Sequence, residues 1–428
     1  MYEGKFPFSN KVAKRSISLA VGAALLMAPL PAIAAESKTS PASSASTSAG
    51  AKKATPDTSS AAPKNDNAYV HKGSSLEVGE HRLLTHKDLV QDWDDLDPIY
   101  LPDKAIEAVK TALPEKDFEE LFPYRLGSEE WHKVAKGKDY YKADQTDYFS
   151  YENLINAVAE VSNLKIKIST RKGTGEQEIH RLDKDARVET LVMRSANFNA
   201  KDNLTKEIET VIIDCGTFLK EGFKADRKRE LAAFLANLSH ETGGGWATAP
   251  GGPLRWGLFW NENIAGRTGQ NMSNFVDPAS RQQYPGAKGK RYYGRGPIML
   301  SWNFNYGLFS SIIYGDKHVL LKNPEIVAED GKIGYMTAIL FWMTPQAPKP
   351  SAHDVMVGRW KPTDAEKEKG LKPGFGTSIM VLNGLEANLG ETEGSPVERR
   401  AGHYREITAR MGVDITGEKV DTLGMQPF

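Results

Sequence analysis

The sequence predicts a mainly α chain carrying a partly β insertion. Apolar residues recur at helical spacing in separate stretches before residue 162 and after residue 225, whereas period-two alternation and β-branched runs are confined to residues 164–216. Of the 428 residues, 40% are hydrophobic and 26% charged, which is enough apolar surface for one large domain or two smaller ones. That composition excludes a disordered chain, a collagen and a disulfide scaffold. Cys215 is the sole cysteine, so no intramolecular disulfide can form. The 55 basic and 55 acidic side chains balance, which argues against a nucleic-acid partner, because phosphate binding normally requires a basic excess.

Residues 1–34 are expected to be a signal peptide. Lys5, Lys11, Lys14 and Arg15 precede an apolar run from Ile17 to Leu30, and Ala32-Ile33-Ala34 provides small residues for cleavage. The apolar run is shorter than the roughly 20 residues a membrane span needs, so the mature chain is expected to be secreted, extracellular or periplasmic, with no membrane attachment. The remaining 394 residues hold 51 basic and 54 acidic side chains, a mild acidity that does not suit nucleic acid or an anionic membrane. Residues 35–66, rich in Ser, Ala, Thr and Pro, have too little apolar surface to offset the entropy of ordering and read as a flexible linker.

Residues 67–115 read either as an accessory segment or as packing against the chain beyond residue 115, with helices expected over 101–113 and 116–122 and a further one over 151–161. In the insertion, Lys165-Ile166-Lys167-Ile168 alternates and Val211-Ile212-Ile213 is β-branched. Cys215 beside them reads as a small buried hydrophobe.

Chemistry begins on the helix expected over 226–242. Leu231, Phe234, Leu235 and Leu238 form its apolar stripe, which reaches Glu241 in the last turn before Gly243-Gly244-Gly245. A carboxyl on an apolar face near the negative end of a helix dipole is pushed towards its protonated form, which suits a general acid. A core glutamate neutralised by an arginine is the structural alternative. His240-Glu241 is not a zinc motif, since no second His follows four residues on. Near the C-terminus, Ser395-Pro396-Val397-Glu398 has capping-box form, and Val397, Ala401, Tyr404 and Ile407 mark a buried face that includes Arg400. A guanidinium there either snorkels to the surface or holds Glu241 or Glu386 through bidentate hydrogen bonds.

These residues belong to a longer pattern. Glu230 to Leu235, Ser239-His240-Glu241-Thr242 and GGWATAP at 244–250 are followed in order by KRYYGRGPI at 290–298, Leu300-Ser301, Asn305-Tyr306-Gly307 and Phe341 to Thr344. Lys349-Pro350-Ser351, His353-Asp354, Gly358-Arg359-Trp360, Asn383-Gly384 and Gln426-Pro427-Phe428 complete the series. The series resembles the signature of glycoside hydrolase family 19, the plant-type chitinases. Weaker similarity extends the match back to residue 116, so a catalytic domain over 116–428 with an insertion at 164–216 is implied.

The resemblance implies a two-lobed, lysozyme-like helical fold with a substrate cleft, and inverting hydrolysis of β-1,4-linked N-acetylglucosamine polymers. Glu241 matches the family's general acid. An ungapped alignment puts Asn263 where the general base is expected, and a one-residue deletion brings Glu262 into that role. Ser301 matches the hydroxyl that positions the water, Arg400 and Glu386 the charged pair around the acid, and Asn305, Lys349 and Asn383 the substrate contacts. Tyr284 stands where the family has a Trp and is expected to offer a ring to a pyranose face. Met299, Trp302 and Phe304 replace polar residues of the cleft floor. No metal or cofactor is expected, as carboxyls serve both proton transfers. The partner is a polysaccharide, chitin or, as the runner-up, peptidoglycan; a sugar-binding protein without catalysis is the third reading.

Overall fold

A computed structural model describes residues 70–428; the leader, the linker and residues 67–69 lie outside the described residues. Helix α1 (His86–Asp92) opens on a reciprocal cap in which Thr85 accepts from the Asp88 N–H and the Asp88 carboxylate accepts from the Thr85 N–H. Helices α2 (Pro102–Ala112), α3 (Glu115–Leu121) and α5 (Tyr151–Ser162) fall on the three spans expected upstream, and α4 (Glu129–Ala135), capped by Ser128, lies between them. Ser150 caps α5, which buries Tyr151, Leu154, Ile155, Val158 and Val161 against α2 and α11 (Gly331–Met343).

The insertion supplies β2 (Leu164–Arg171), β3 (Gln177–Asp183), β4 (Val188–Arg194) and β5 (Ile208–Asp214) of an antiparallel sheet that β1 (His81–Leu83) joins from upstream, in the order β1-β4-β3-β2-β5. Leu164, Ile166, Ile168, Ile179 and Val192 join the main core. The opposite face carries Lys165, Lys167, Glu178, His180 and Glu189, and the chain from Ser74 to Asp97 lies over it. There Arg82 donates to Glu189 at 2.7 Å, and the Lys165 ammonium donates to the carbonyls of Trp93 and Asp95 at 2.7 and 2.6 Å. Leu84, Leu89 and Trp93 pack on Leu182. The accessory segment is therefore part of the packing of the chain beyond it: its first part completes the sheet, and α2 puts Ala105, Val109 and Ala112 into the main core.

Helix α6 (Lys224–Glu241) is buried on all sides from Glu230 to Ser239, and the polar side chains of that stretch, Glu230, Asn237 and Ser239, have partners. Glu230 accepts from His353 Nδ1 at 2.6 Å and Trp342 Nε1 at 3.1 Å. Gly243-Gly244-Gly245 follow the helix, yet none has positive φ, so no left-handed glycine cap ends it. Room is the reason for them: a Cβ on Gly244 would meet the Phe259 ring at 2.6 Å, and one on Gly245 the Pro253 carbonyl at 2.8 Å.

Short α7 (Ile264–Arg267) leads to α8 (Asn303–Tyr314), α9 (His318–Lys322), α10 (Ile326–Glu329), α11, α12 (Ala352–Val357), α13 (Asp364–Glu368) and α14 (Phe375–Leu382). The last helix, α15 (Pro396–Met411), lies along α6. Its cap is one-sided: Ser395 accepts from the Glu398 N–H at 3.0 Å, but the Glu398 carboxylate takes the Gly394 N–H, because Ser395 already donates to the Thr392 carbonyl. Among the described residues no helix is long and apolar enough to cross a membrane.

Candidate active site

Asn237 and Glu241 lie one turn apart on α6, and both reach Arg400 of α15. The buried guanidinium donates through Nε and Nη2 to the two oxygens of Glu386 at 2.9 and 2.8 Å, through Nη2 to Glu241 at 2.5 Å, and through Nη1 to Asn237 Oδ1 at 3.1 Å. Arg400 thus serves both carboxylates and does not snorkel. Asn383 adds a bond from Nδ2 to Glu386 Oε1 at 3.0 Å, and its own carbonyl oxygen accepts from the Leu385 N–H.

One cation shared between two carboxylates does not offset the burial of both. Burial pushes the Glu241 carboxyl above its ordinary 4.5, Arg400 pulls it back and Glu386 pushes it up again, with a net rise. No second cation arises from the imidazoles alongside. Burial and the charges of Arg399 and Arg400 hold His240 well below its ordinary value and bring His403 down to about 3.

Thr242 ties the end of α6 to the segment that leads to Glu262. Its carbonyl accepts from the N–H groups of Phe259 and Trp260 at 3.1 and 2.9 Å, and its hydroxyl accepts from Leu258 at 3.0 Å. Two residues beyond Trp260 stands Glu262, held in a small ladder opposite Arg295, which in turn faces Leu300. The Tyr293 hydroxyl donates to Glu262 Oε2 at 3.0 Å, and Arg267 Nη1 lies 3.8 Å from Oε1, leaving the Glu262 side chain 18% exposed. Asn263 caps α7, accepting from the Gly266 N–H at 2.8 Å. Of the two neighbours, Glu262 is therefore the one with a carboxylate facing outwards and Asn263 the one committed to the backbone.

Ser301 follows Leu300 in the same ladder, and its hydroxyl donates to the Met299 carbonyl at 3.0 Å, which leaves its oxygen able to accept. Met299 and Trp302 on either side have φ of +50° and +76°, a left-handed backbone that is costly for large side chains and typical of functional turns. Asn305, 2% exposed, donates to the Ser301 carbonyl at 2.9 Å, and its buried Oδ1 has no partner. Lys349 Nζ donates to the Val381 carbonyl at 3.1 Å, and burial lowers its ammonium to about 8.

The expectation for Tyr284 fails. Its ring is fully buried, wedged against Gly307, where a Cβ would come within 2.1 Å of it, and edge-on to Phe304 at 5.5 Å, so it presents no face to a sugar. A resemblance supplies a position but not its depth. The exposed rings lie elsewhere: Trp246, just after the acid, is 51% exposed and leans on Trp256 at 5.3 Å, which stacks on Tyr124 at 4.4 Å. Residue patterns missed Asn237, Thr242 and Arg295, all within quoted or adjacent motifs, because nothing in a helix stripe or a glycine turn marks which polar group ties two segments together. A cavity of about 390 Å³ lies at the far end of α6, lined by Lys104, Glu107, Lys220 and Arg227; it contains none of the carboxylates above.

The mainly α fold carries two carboxyls in contrasting surroundings, one raised beside a shared arginine and one accepting from a tyrosine, and such a pair is what a glycosidase uses. The profile of glycoside hydrolase family 19, chitinase class I, matches residues 192–422, and the chain belongs to that family. It is 44% identical over 212 residues to endochitinase A2 of Pisum sativum, covering 49% of this chain and 61% of that one. It is 47% identical over 204 residues to an endochitinase of Carica papaya, covering 47% and 78%. The chain spans 61% and 62% of the length of the pea enzyme and of chitinase 1 of Oryza sativa, so it shares about three fifths of those relatives. Among solved structures, a bacterial family 19 chitinase aligns at 24% identity with a TM-score of 0.41, covering 72% of this chain and 99% of that one. A class IV chitinase of Zea mays aligns at 28% identity with a TM-score of 0.33, covering 46% and 76%.

Proposed function

We propose that the chain is an exported hydrolase of β-1,4-linked N-acetylglucosamine polymers that works with inversion through Glu241 and Glu262. The observation that carries this reading is the asymmetry of the two carboxyls: Glu241 raised beside an arginine it shares with Glu386, Glu262 with a hydroxyl donor and a cation near it. Protonated Glu241 gives its proton to the glycosidic oxygen as the bond to the anomeric carbon breaks. Water attacks that carbon from the other face and loses its proton to Glu262, while Ser301 accepts the water's second hydrogen bond. A β-linkage cleaved this way yields an α-anomer.

Asn305, with an unpartnered amide oxygen, Asn383 and Lys349 provide polar groups for hydroxyls and acetamido groups, and the Trp246–Trp256 pair offers flat apolar faces beside the acid. The endochitinase relatives favour chitin. Met299, Trp302 and Phe304 make one stretch of the site less polar, which favours peptidoglycan as the second reading.

The test is hydrolysis of soluble N-acetylglucosamine oligomers and, separately, purified peptidoglycan, with the anomer of the first product read by NMR and Glu241→Gln as control. Release of α-anomer from the oligomers, abolished in the variant with sugar binding retained, is the expected result. Cleavage of peptidoglycan alone replaces chitin with the second substrate. Sugar binding without cleavage of either makes the protein a lectin.

A further inference from the structure

Arg295 is 5% exposed, and among the described residues no carboxylate comes within ion-pair distance of it. A buried guanidinium is ordinarily paired, because removing its charge from water costs several kcal/mol. What it has instead are oxygen acceptors and rings. Nη1 donates to the Arg291 carbonyl and to the Tyr306 hydroxyl, both at 3.0 Å, and the guanidinium carbon sits 3.8 Å from the centre of the Tyr293 ring. Tyr306 in turn donates to the Tyr293 carbonyl at 2.8 Å, which fixes the backbone that carries the ring. The Tyr293 hydroxyl ends this chain by donating to Glu262 at 3.0 Å, and Glu262 is directly opposite Arg295 in the ladder.

We propose that Arg295, acting through Tyr293, is the counter-charge that orients the Glu262 carboxylate. The inference rests on the reading of Glu262 as the general base. A cation stacked on a phenol ring draws electron density from the hydroxyl and makes it a better donor, and a donor to a carboxylate favours its charged form. Burial raises the Tyr293 hydroxyl and Arg295 draws it back, in keeping with that polarisation. Burial also works against the Arg295 charge, yet Tyr306, Tyr293 and Glu262 hold the group above its ordinary value. Groups that act on or are acted on by Glu262 include Arg267 from α7, Tyr293 and Arg295 from its own ladder, Tyr306 from α8 and Tyr148 from the turn before α5, and Tyr148 also feels Asp330. The two carboxylates are thus partnered differently. Arg400 bonds Glu386 as well as Glu241, whereas Arg295 reaches Glu262 through Tyr293 and acts on Glu325 at longer range.

Arg295 and Tyr293 are positioning residues on this account, and the experiment reads the carboxyl they act on. In the full chain, the Glu262 carboxyl is titrated by carbon NMR, assigned by its loss in Glu262→Gln, for the parent, Tyr293→Phe and Arg295→Lys. Tyr293→Phe keeps the ring and its stacking and removes only the hydroxyl, so it serves even if changes at Arg295 impair folding. The expected result is a Glu262 titration moved upwards by about half a unit or more in both variants, since a lost donor or a misplaced cation destabilises the carboxylate. With N-acetylglucosamine oligomers, kcat should fall about tenfold or more in Tyr293→Phe with KM within about twofold, and the acid limb of the pH profile should move to higher pH. An unmoved Glu262 titration in both variants overturns the proposal. A moved titration in a parent chain that cleaves no oligomer upholds the positioning and overturns the chitinolytic reading instead.

Discussion

At the scale of single residues, the site turns on how much charge Arg400 has to give. Its guanidinium makes a two-pronged contact with Glu386 and a single one with Glu241, so the acid is the less compensated of the pair. A carboxyl whose folded value lies above its ordinary 4.5 binds its proton more tightly in the folded state than in the unfolded one, so it contributes a loss of stability as pH rises through that window. Glu241→Gln carries no such charge at any pH. Its melting temperature should therefore gain on the parent's as pH goes from about 4 to about 7.5, and a difference that is the same at both pH values would remove the burial argument. On the proposed mechanism the same raised carboxyl should set the alkaline limb of activity, because a general acid must be protonated to work. Sequence patterning reached Glu241 and Arg400 because both continue apolar helix stripes. The family resemblance reached Glu262 only through a one-residue deletion against Asn263, which the backbone of α7 uses as a cap, and it expected an exposed ring at Tyr284, whose depth is set by its close approach to Gly307 in α8.

At the scale of elements, the helices with an apolar stripe were legible and most of the sheet was not. α2, α3 and α5 show the 3.6-residue stripe that burial on one side demands, α6 shows one although it is buried all round from Glu230 to Ser239, and β2 and β5 show alternation or branching. Strands β3 and β4 were missed because their second face holds Glu178, His180, Glu189 and Arg194, residues that read as surface in any pattern. They are buried by the segment from Ser74 to Asp97 and pair with one another and with it. Glu189 accepts from Arg82 at 2.7 Å and lies 2.8 Å from His180 Nδ1 and 3.1 Å from the Lys167 ammonium. Burial alone would raise that carboxyl, but His180, Lys167 and Arg82 together hold it well below the ordinary range, so its stabilisation is present above the ordinary value and lost as pH falls. Glu189→Gln leaves three donors around a weaker acceptor and should cost about 3–5 kcal/mol at neutral pH. Hydrogen exchange should speed up in β2, β3 and β4, while oligomer hydrolysis below the new melting point persists. Unchanged protection there would show the cluster to be solvated rather than structural.

At the scale of the whole molecule, the unit that folds is larger than the unit that is recognised. The family profile begins at residue 192 and the weaker resemblance at 116, yet one continuous core runs from Ala105 to Val420. Ala105, Ala108, Val109, Ala112 and Leu113 of α2 and its end lie in that core, and the Tyr151 hydroxyl donates to the Leu113 carbonyl at 2.7 Å. Further upstream, the Lys184 ammonium donates to the Tyr100 carbonyl at 3.0 Å, and a Cβ on Gly216 would meet that same oxygen at 2.0 Å, so the chain before α2 is fitted closely to the end of the insertion. With Cys215 the only cysteine, no intramolecular disulfide supplements this packing. A chain starting at residue 116 would lose all five apolar side chains and leave α5 bare on one side. Each fully buried Val or Leu stabilises by about 1.5–3 kcal/mol, against a net stability of about 5–15 kcal/mol for a typical domain. That chain should therefore show no cooperative melt and no hydrolysis, although it retains Glu241, Glu262, Ser301 and Arg400. If it melted at the full chain's temperature and cleaved oligomers at the same rate, α2 would be an appendage, and the core that positions the two carboxylates would have to begin at α3.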